Sequence, residues 1–100
     1  MQLKANYKIW LEYNKKPLLG KGRYNLLKTI NKTNSLKRSV DILKINYKTA
    51  FNHIRKIEER LGKRIIYTHK GGKDAGGYTR LTPLGKELVT RYEEIISRIR

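Results

Sequence analysis

Two helical stripes joined by a short link constrain this chain more than any other feature. Ala50, Ile54, Ile57 and Leu61 recur at spacings of four, three and four, and Gly62 follows where a helix commonly ends in a left-handed residue. Upstream, Leu36, Val40 and Leu43 share one face of a shorter helix, with Ser35 placed as its N-cap and Ile45 closing it. Asn46 is the N-cap candidate of the longer helix. The connection from Leu43 to Tyr47 suits a tight turn between two helices.

The periodicity changes on either side. Leu26, Leu27 and Ile30 predict a first helix from about Arg23 that ends near Asn31–Asn34. Before it, Leu3, Ala5, Tyr7, Ile9, Leu11 and Tyr13 alternate with Lys4, Asn6, Lys8, Trp10 and Glu12, which predicts a half-buried strand over 3–13. Asn14–Pro17 is turn chemistry, Leu18 and Leu19 return as a short strand, and Gly20 and Gly22 break the pattern. After Gly62, Ile65–His69 and Tyr78–Thr82 flank a glycine-rich tip and predict a hairpin. Thr82 caps a last helix with Pro83 at its first position. Its apolar face is Leu84, Leu88, Tyr92, Ile95 and Ile99.

The order predicts a mainly α chain with a small β component: a winged helix-turn-helix with an N-terminal β-strand or hairpin and a long C-terminal helix. It reads as one domain over 1–100. Residues 1–19 form the hairpin, 20–62 the three helices, 63–82 the wing and 83–100 a dimerisation helix. A chain of 100 residues buries about two-thirds of its unfolded surface, enough for one small core.

Charge narrows the partner. Lys and Arg number 24 against 8 Asp and Glu, a formal charge of +16. Residues 1–57 alone carry 14 cations and two acids. So one-sided an excess points to an anionic partner, with nucleic acid the first candidate. The chain has no cysteine and two histidines, which removes disulfides, thiol catalysis and cysteine-based metal modules, and argues against a multi-histidine site. No cofactor or metal is expected. No apolar run approaches ~18 residues, so no membrane span is expected, and the reading is a cytoplasmic, nucleoid-associated protein. A nucleotide-binding loop does not fit, because Asp74 follows Lys73 and Gly22 follows Lys21 where Ser or Thr is needed.

With the buried stripe of the third helix (about 46–61) turned inward, Lys48, Asn52, Arg55, Lys56 and Glu59 point away. Lys21 and Arg23, Lys37 and Arg38, and Lys48 occupy first turns, where the helix macrodipole disfavours cations by roughly 0.3–1 kcal/mol each. Phosphates at those helix starts would account for the pattern. The third helix would enter the major groove by its N-terminal half, with Tyr47, Lys48, Thr49 and Asn52 nearest the bases. Lys70, Lys73 and Arg80 would let the wing follow a backbone or enter a minor groove. His53 and His69 read as spectators. Trp10 packs either under the last helix or across a dimer interface. The tyrosines do not read as a stacking platform for a single strand.

Three segments carry a family resemblance. Gly20-Lys-Gly-Arg-Tyr-Asn-Leu-Leu, Ile45-Asn-Tyr-Lys-Thr-Ala-Phe-Asn-His-Ile and Gly71-Gly-Lys-Asp-Ala-Gly-Gly-Tyr-Thr-Arg-Leu-Thr-Pro-Leu-Gly resemble the DNA-binding domain of ModE-type, molybdate-responsive regulators. Leu81-Thr-Pro-Leu-Gly is also similar to LysR-type regulators. The resemblance covers about 17–92. It implies a winged helix that binds palindromic operators as a homodimer, with the recognition role on Asn46 through Arg55 and the wing role on Lys70 through Arg80. Asn46 stands where the family has Ser, Phe51 where it has Trp, and Asp74-Ala75 interrupts the glycine run. The family's molybdate-binding domain follows the winged helix. With the sequence ending at Arg100, no small-molecule effector domain is expected.

Leu84, Leu88, Tyr92, Ile95, Ile96 and Ile99 give the last helix more apolar surface than a wing needs, and a second copy is expected to cover it. The expected function is a sequence-specific, double-stranded DNA-binding transcription regulator. The alternatives are an architectural DNA coat of low specificity and a basic RNA-binding protein. No acid pair, nucleophile–base set or metal cluster suggests an enzyme.

Overall fold

A computed structural model describes residues 1–70 and 77–99. The elements run β1 (Leu11–Tyr13), β2 (Lys16–Leu19), α1 (Lys21–Thr33), α2 (Leu36–Leu43), α3 (Tyr47–Leu61), β3 (Ile66–His69), β4 (Tyr78–Leu81) and α4 (Pro83–Ile99). Each strand pair forms its own antiparallel two-stranded sheet. The order is that of a winged helix-turn-helix, with an N-terminal hairpin and a long last helix.

The helix boundaries follow from their caps. Ser35 Oγ accepts from Arg38 N at 3.0 Å, and Asn46 Oδ1 accepts from Lys48 N at 2.8 Å and Thr49 N at 3.3 Å. Thr82 Oγ1 accepts from Gly85 N at 3.1 Å at the start of α4. Asn34, Lys44 and Gly62 end α1, α2 and α3 in the left-handed region. The β1–β2 turn places both Asn14 (φ 50°) and Lys15 (φ 66°) at positive φ, as the twist of a two-residue hairpin loop requires.

Leu26, Leu27 and Ile30 of α1, Leu36 and Val40 of α2, and Ala50, Ile54 and Ile57 of α3 build the centre of the core. Leu18 and Leu19 close it from the hairpin, and Ile65, Ile66 and Leu81 close it from the wing. Ser39 is fully buried yet satisfied, since its hydroxyl donates to Ser35 O at 2.7 Å and lies 2.9 Å from Thr33 Oγ1. The wing is tied to the helices by backbone as well, with Thr79 N donating to Asn34 O at 2.9 Å.

Two expectations need correction. The strand expected over 3–13 is confined to Leu11–Tyr13, and residues 1–10 are in neither strand nor helix. Alternation becomes a strand only against a partner, and β2, four residues long, pairs no further back than Leu11. Leu3 and Tyr7 are therefore exposed, at 87% and 55%. Trp10 is 47% exposed and donates from Nε1 to Glu12 Oε2 at 3.0 Å.

The second correction concerns α4. Leu88 and Tyr92 belong to the chain's own core. Tyr92 stacks on Tyr24 of α1 with ring centroids 4.5 Å apart, and its hydroxyl donates to Ile9 O at 3.2 Å. Val89 is buried beside them, while Leu84 and Ile96 pack against the same core and are half-buried. Only Ile95, half-buried, and Ile99, 48% exposed, stand clear of it among the six residues expected at a dimer interface.

Candidate nucleic-acid interface

Helix α3 turns Ala50, Ile54 and Ile57 into the core, and the remaining positions follow from its pitch. Tyr47, Lys48, Thr49, Asn52, Arg55 and Lys56 are all exposed. Lys37 and Arg38 are exposed in the first turn of α2. None of the four helices carries an acid in its first turn. Of the α3 cations, Arg55 reaches Glu59 at 3.9 Å, an exposed pair of little energetic weight. Phe51 flanks this face at 39% exposure, with Ile42 of the last turn of α2 at 61% and Ile45 of the following link at 36%. Phe51 lies within the span 46–55 to which the resemblance assigns recognition, whereas Ile42 and Ile45 fall outside it.

The helix starts are less open to phosphate than the charge pattern suggests. Ser35 and Asn46 already occupy amides of α2 and α3 with their own side chains. Asn46 thus spends its amide oxygen on the cap. Only Gly20, at the start of α1, supplies no side-chain cap among these three.

Arg23 is partly engaged within the fold. Its guanidinium donates to Leu18 O at 2.8 Å and, through Nε, to His53 Nδ1 at 3.0 Å. This ties the β1–β2 hairpin to both α1 and α3. Burial, with Arg60 nearby, lowers the Arg23 pKa. His53 is correspondingly no spectator. Nδ1 must keep its lone pair to accept this bond. Burial first, then Arg23 and Lys56, lowers the imidazole's pKa.

A folded-state histidine pKa below the ordinary ~6.5 makes the unfolded chain the better proton acceptor. The stabilising effect is complete above about pH 6.5 and is lost as pH falls through the lowered folded value. The thermal midpoint should therefore begin to drop just below pH 6.5, and His53→Gln should flatten that limb. Thermal melts of both proteins across this range check it, and parallel curves would refute it. Glu93 behaves similarly at more acid pH. The Tyr24 hydroxyl, 2.6 Å away, and Lys28, at 3.1 Å, hold its carboxylate below the ordinary value.

The wing is anchored at its root by Glu58. Its Oε2 accepts from Ile65 N at 2.7 Å, Arg64 Nε at 3.1 Å and Ile66 N at 3.4 Å. Lys70 is exposed at the end of β3, and Arg80 is exposed on β4. Lys73 lies outside the described residues.

The fold resembles that of full-length OxyR from Pseudomonas aeruginosa, with a TM-score of 0.55 over 77% of this chain and 24% of that one. At 21% identity this is a likeness of fold. No family profile matches the chain. Over 71 residues, however, it is 30% identical to the transcriptional regulator ModE of Haemophilus influenzae. It is 31% identical over 77 residues to the molybdenum-pterin-binding protein MopB of Rhodobacter capsulatus.

The chain is a ModE-like winged helix-turn-helix.

The ModE-like chain spans 28% of the length of each of these two relatives. Among the described residues, no helix is long and apolar enough to cross a membrane.

Proposed function

We propose that the ModE-like chain binds double-stranded DNA as a transcription regulator, reading sequence with α3 and acting as a homodimer. The observation that carries this reading is the exposed face of α3, where Lys48, Thr49, Asn52, Arg55 and Lys56 can donate to bases and phosphates. Lys37 and Arg38 supply phosphate contacts at the start of α2, and Lys70, Lys73 and Arg80 supply them along the wing. The likeness to the regulator ModE supports the same reading. Arg23, which spends Nε and one Nη1 hydrogen within the fold, has its remaining donors for such a contact. Homodimerisation draws on Ile95 and Ile99 in the last turns of α4, with Leu84 and Ile96 at the margin.

The test compares sites selected from a random duplex library with random duplex, at one fixed salt concentration. Preference by roughly a thousandfold or more is expected of a specific regulator. A ratio near one would replace this reading with a DNA coat of low specificity. Single substitutions resolve the roles further. Asn52→Ala should alter base preference at one position. Lys70→Ala should weaken all duplexes alike and reduce the slope of log affinity against log salt by about one. Sequence-blind losses from both would remove α3 from the major groove.

A further inference from the structure

The outer face of the wing is built differently from the rest of the basic surface. In the β3–β4 register, Tyr67 pairs with Arg80 and His69 with Tyr78. Side chains alternate along a strand, so these four share one face while Ile66, Thr79 and Leu81 are buried on the other. The His69 and Tyr78 rings stack at 5.3 Å with 20° between their planes. The Arg80 guanidinium lies over the Tyr78 ring, 4.4 Å from its centre. Tyr67 is 55% exposed and, among the described residues, stacks on no other ring.

Cross-strand pairing accounts for the His69–Tyr78 stack as hairpin stabilisation. It does not account for Tyr67, whose ring lies open two residues along the same face. A row of π surfaces beside a guanidinium, on a chain of charge +16, matches a ligand that carries planar rings and negative charge together. Duplex DNA offers the charge but keeps its ring faces stacked inside. A single strand offers both.

We propose that this face is a second nucleic-acid site, which takes unpaired bases of a single strand. One base stacks on Tyr67 and its neighbour on the His69–Tyr78 pair, with Arg80 beside the connecting phosphate. The site does not depend on α3, and it shares only Arg80 with the duplex reading above. It also revises the sequence expectation that the tyrosines form no such platform: hairpin register gathers residues that lie apart in the sequence.

The experiment measures fluorescence anisotropy of the full chain with a labelled thymidine strand of about twelve nucleotides, within the range of single-strand site sizes. A strand of equal length without bases and a random duplex are measured alongside. The thymidine strand should bind about tenfold or more tighter than the abasic one. Tyr67→Ala and Tyr78→Ala should each remove about tenfold of that affinity while changing duplex binding less than about twofold. Tyr67→Phe, which keeps the ring, should bind as the parent does. Circular dichroism confirms that each variant is folded, and exposed Tyr67 keeps the test valid if Tyr78→Ala fails. A uridine strand compared with thymidine identifies whether RNA or DNA is preferred, and dependence on Tyr67 is expected for both. Equal binding of abasic and thymidine strands, no loss in Tyr67→Ala, or a parallel loss of duplex affinity would each overturn the proposal.

Discussion

Replacing Gly85 with alanine should destabilise the protein by about 1–3 kcal/mol, although alanine is the better helix former by about 1 kcal/mol. Gly85 is buried in the first turns of α4. A Cβ built there would overlap Ile65 O and would lie 3.4 Å from Ile65 C and 3.2 Å from Leu81 Cβ. The first two are backbone atoms, so no rotamer change relieves the contact. Nor can the carbonyl turn aside freely, because it accepts from Thr82 N at 2.9 Å. Helix propensity and contact thus predict opposite signs. The contact should win, since either α4 must lift from the wing or the Thr82 bond must lengthen. Urea unfolding of Gly85→Ala decides between them, and Gly85→Val should cost more still. A raised midpoint for the alanine variant would show that the α4–wing junction is looser than described.

Glu58→Ala should cost about 2–3 kcal/mol, a large loss for an acid near the end of a helix in so basic a chain. The carboxylate is 17% exposed and serves three donors. Removing it leaves the amide of buried Ile65 without its partner, which carries a desolvation penalty beyond the lost bond. Glu58→Gln keeps an acceptor of the same reach and should lose roughly half as much. Hydrogen exchange locates the effect, with the Ile65 and Ile66 amides expected to exchange faster while the centre of α1 holds. Uniform acceleration across the chain would mean that Glu58 supports the whole fold rather than the wing root.

These two residues also mark where the sequence stops being legible. The stripes of α1, α2 and α3, with Ser35, Asn46, Gly62 and Thr82 at their ends, could be read because caps and periodicity are local. The helix-turn-helix and wing followed from their order. Gly85 and Glu58 could not be read that way. A glycine inside a helix and an acid in its last turns look unremarkable until the tertiary neighbour, Ile65, is in place. Arg23 shows the same limit: a cation at a helix start suggests phosphate, but its bond to His53, 30 residues away, cannot be read from the sequence. Period-two alternation over 3–10 promised a strand that no partner strand completes. On α4 the stripe itself was legible, but its division between the chain's own core and a second copy was not. Only packing shows that Tyr24 takes up Tyr92. On α3 the free face was legible because one buried stripe fixes the rest of a helix.

The bond from Thr79 N to Asn34 O has a mechanical meaning. It grips β4 on the edge opposite β3, at the corner between α1 and α2. A hairpin joined only at its base could swing like a flap. This one is latched at two places, so its pitch against α2 is set before any partner arrives. The span between wing and helices is thereby held as a ruler of fixed length.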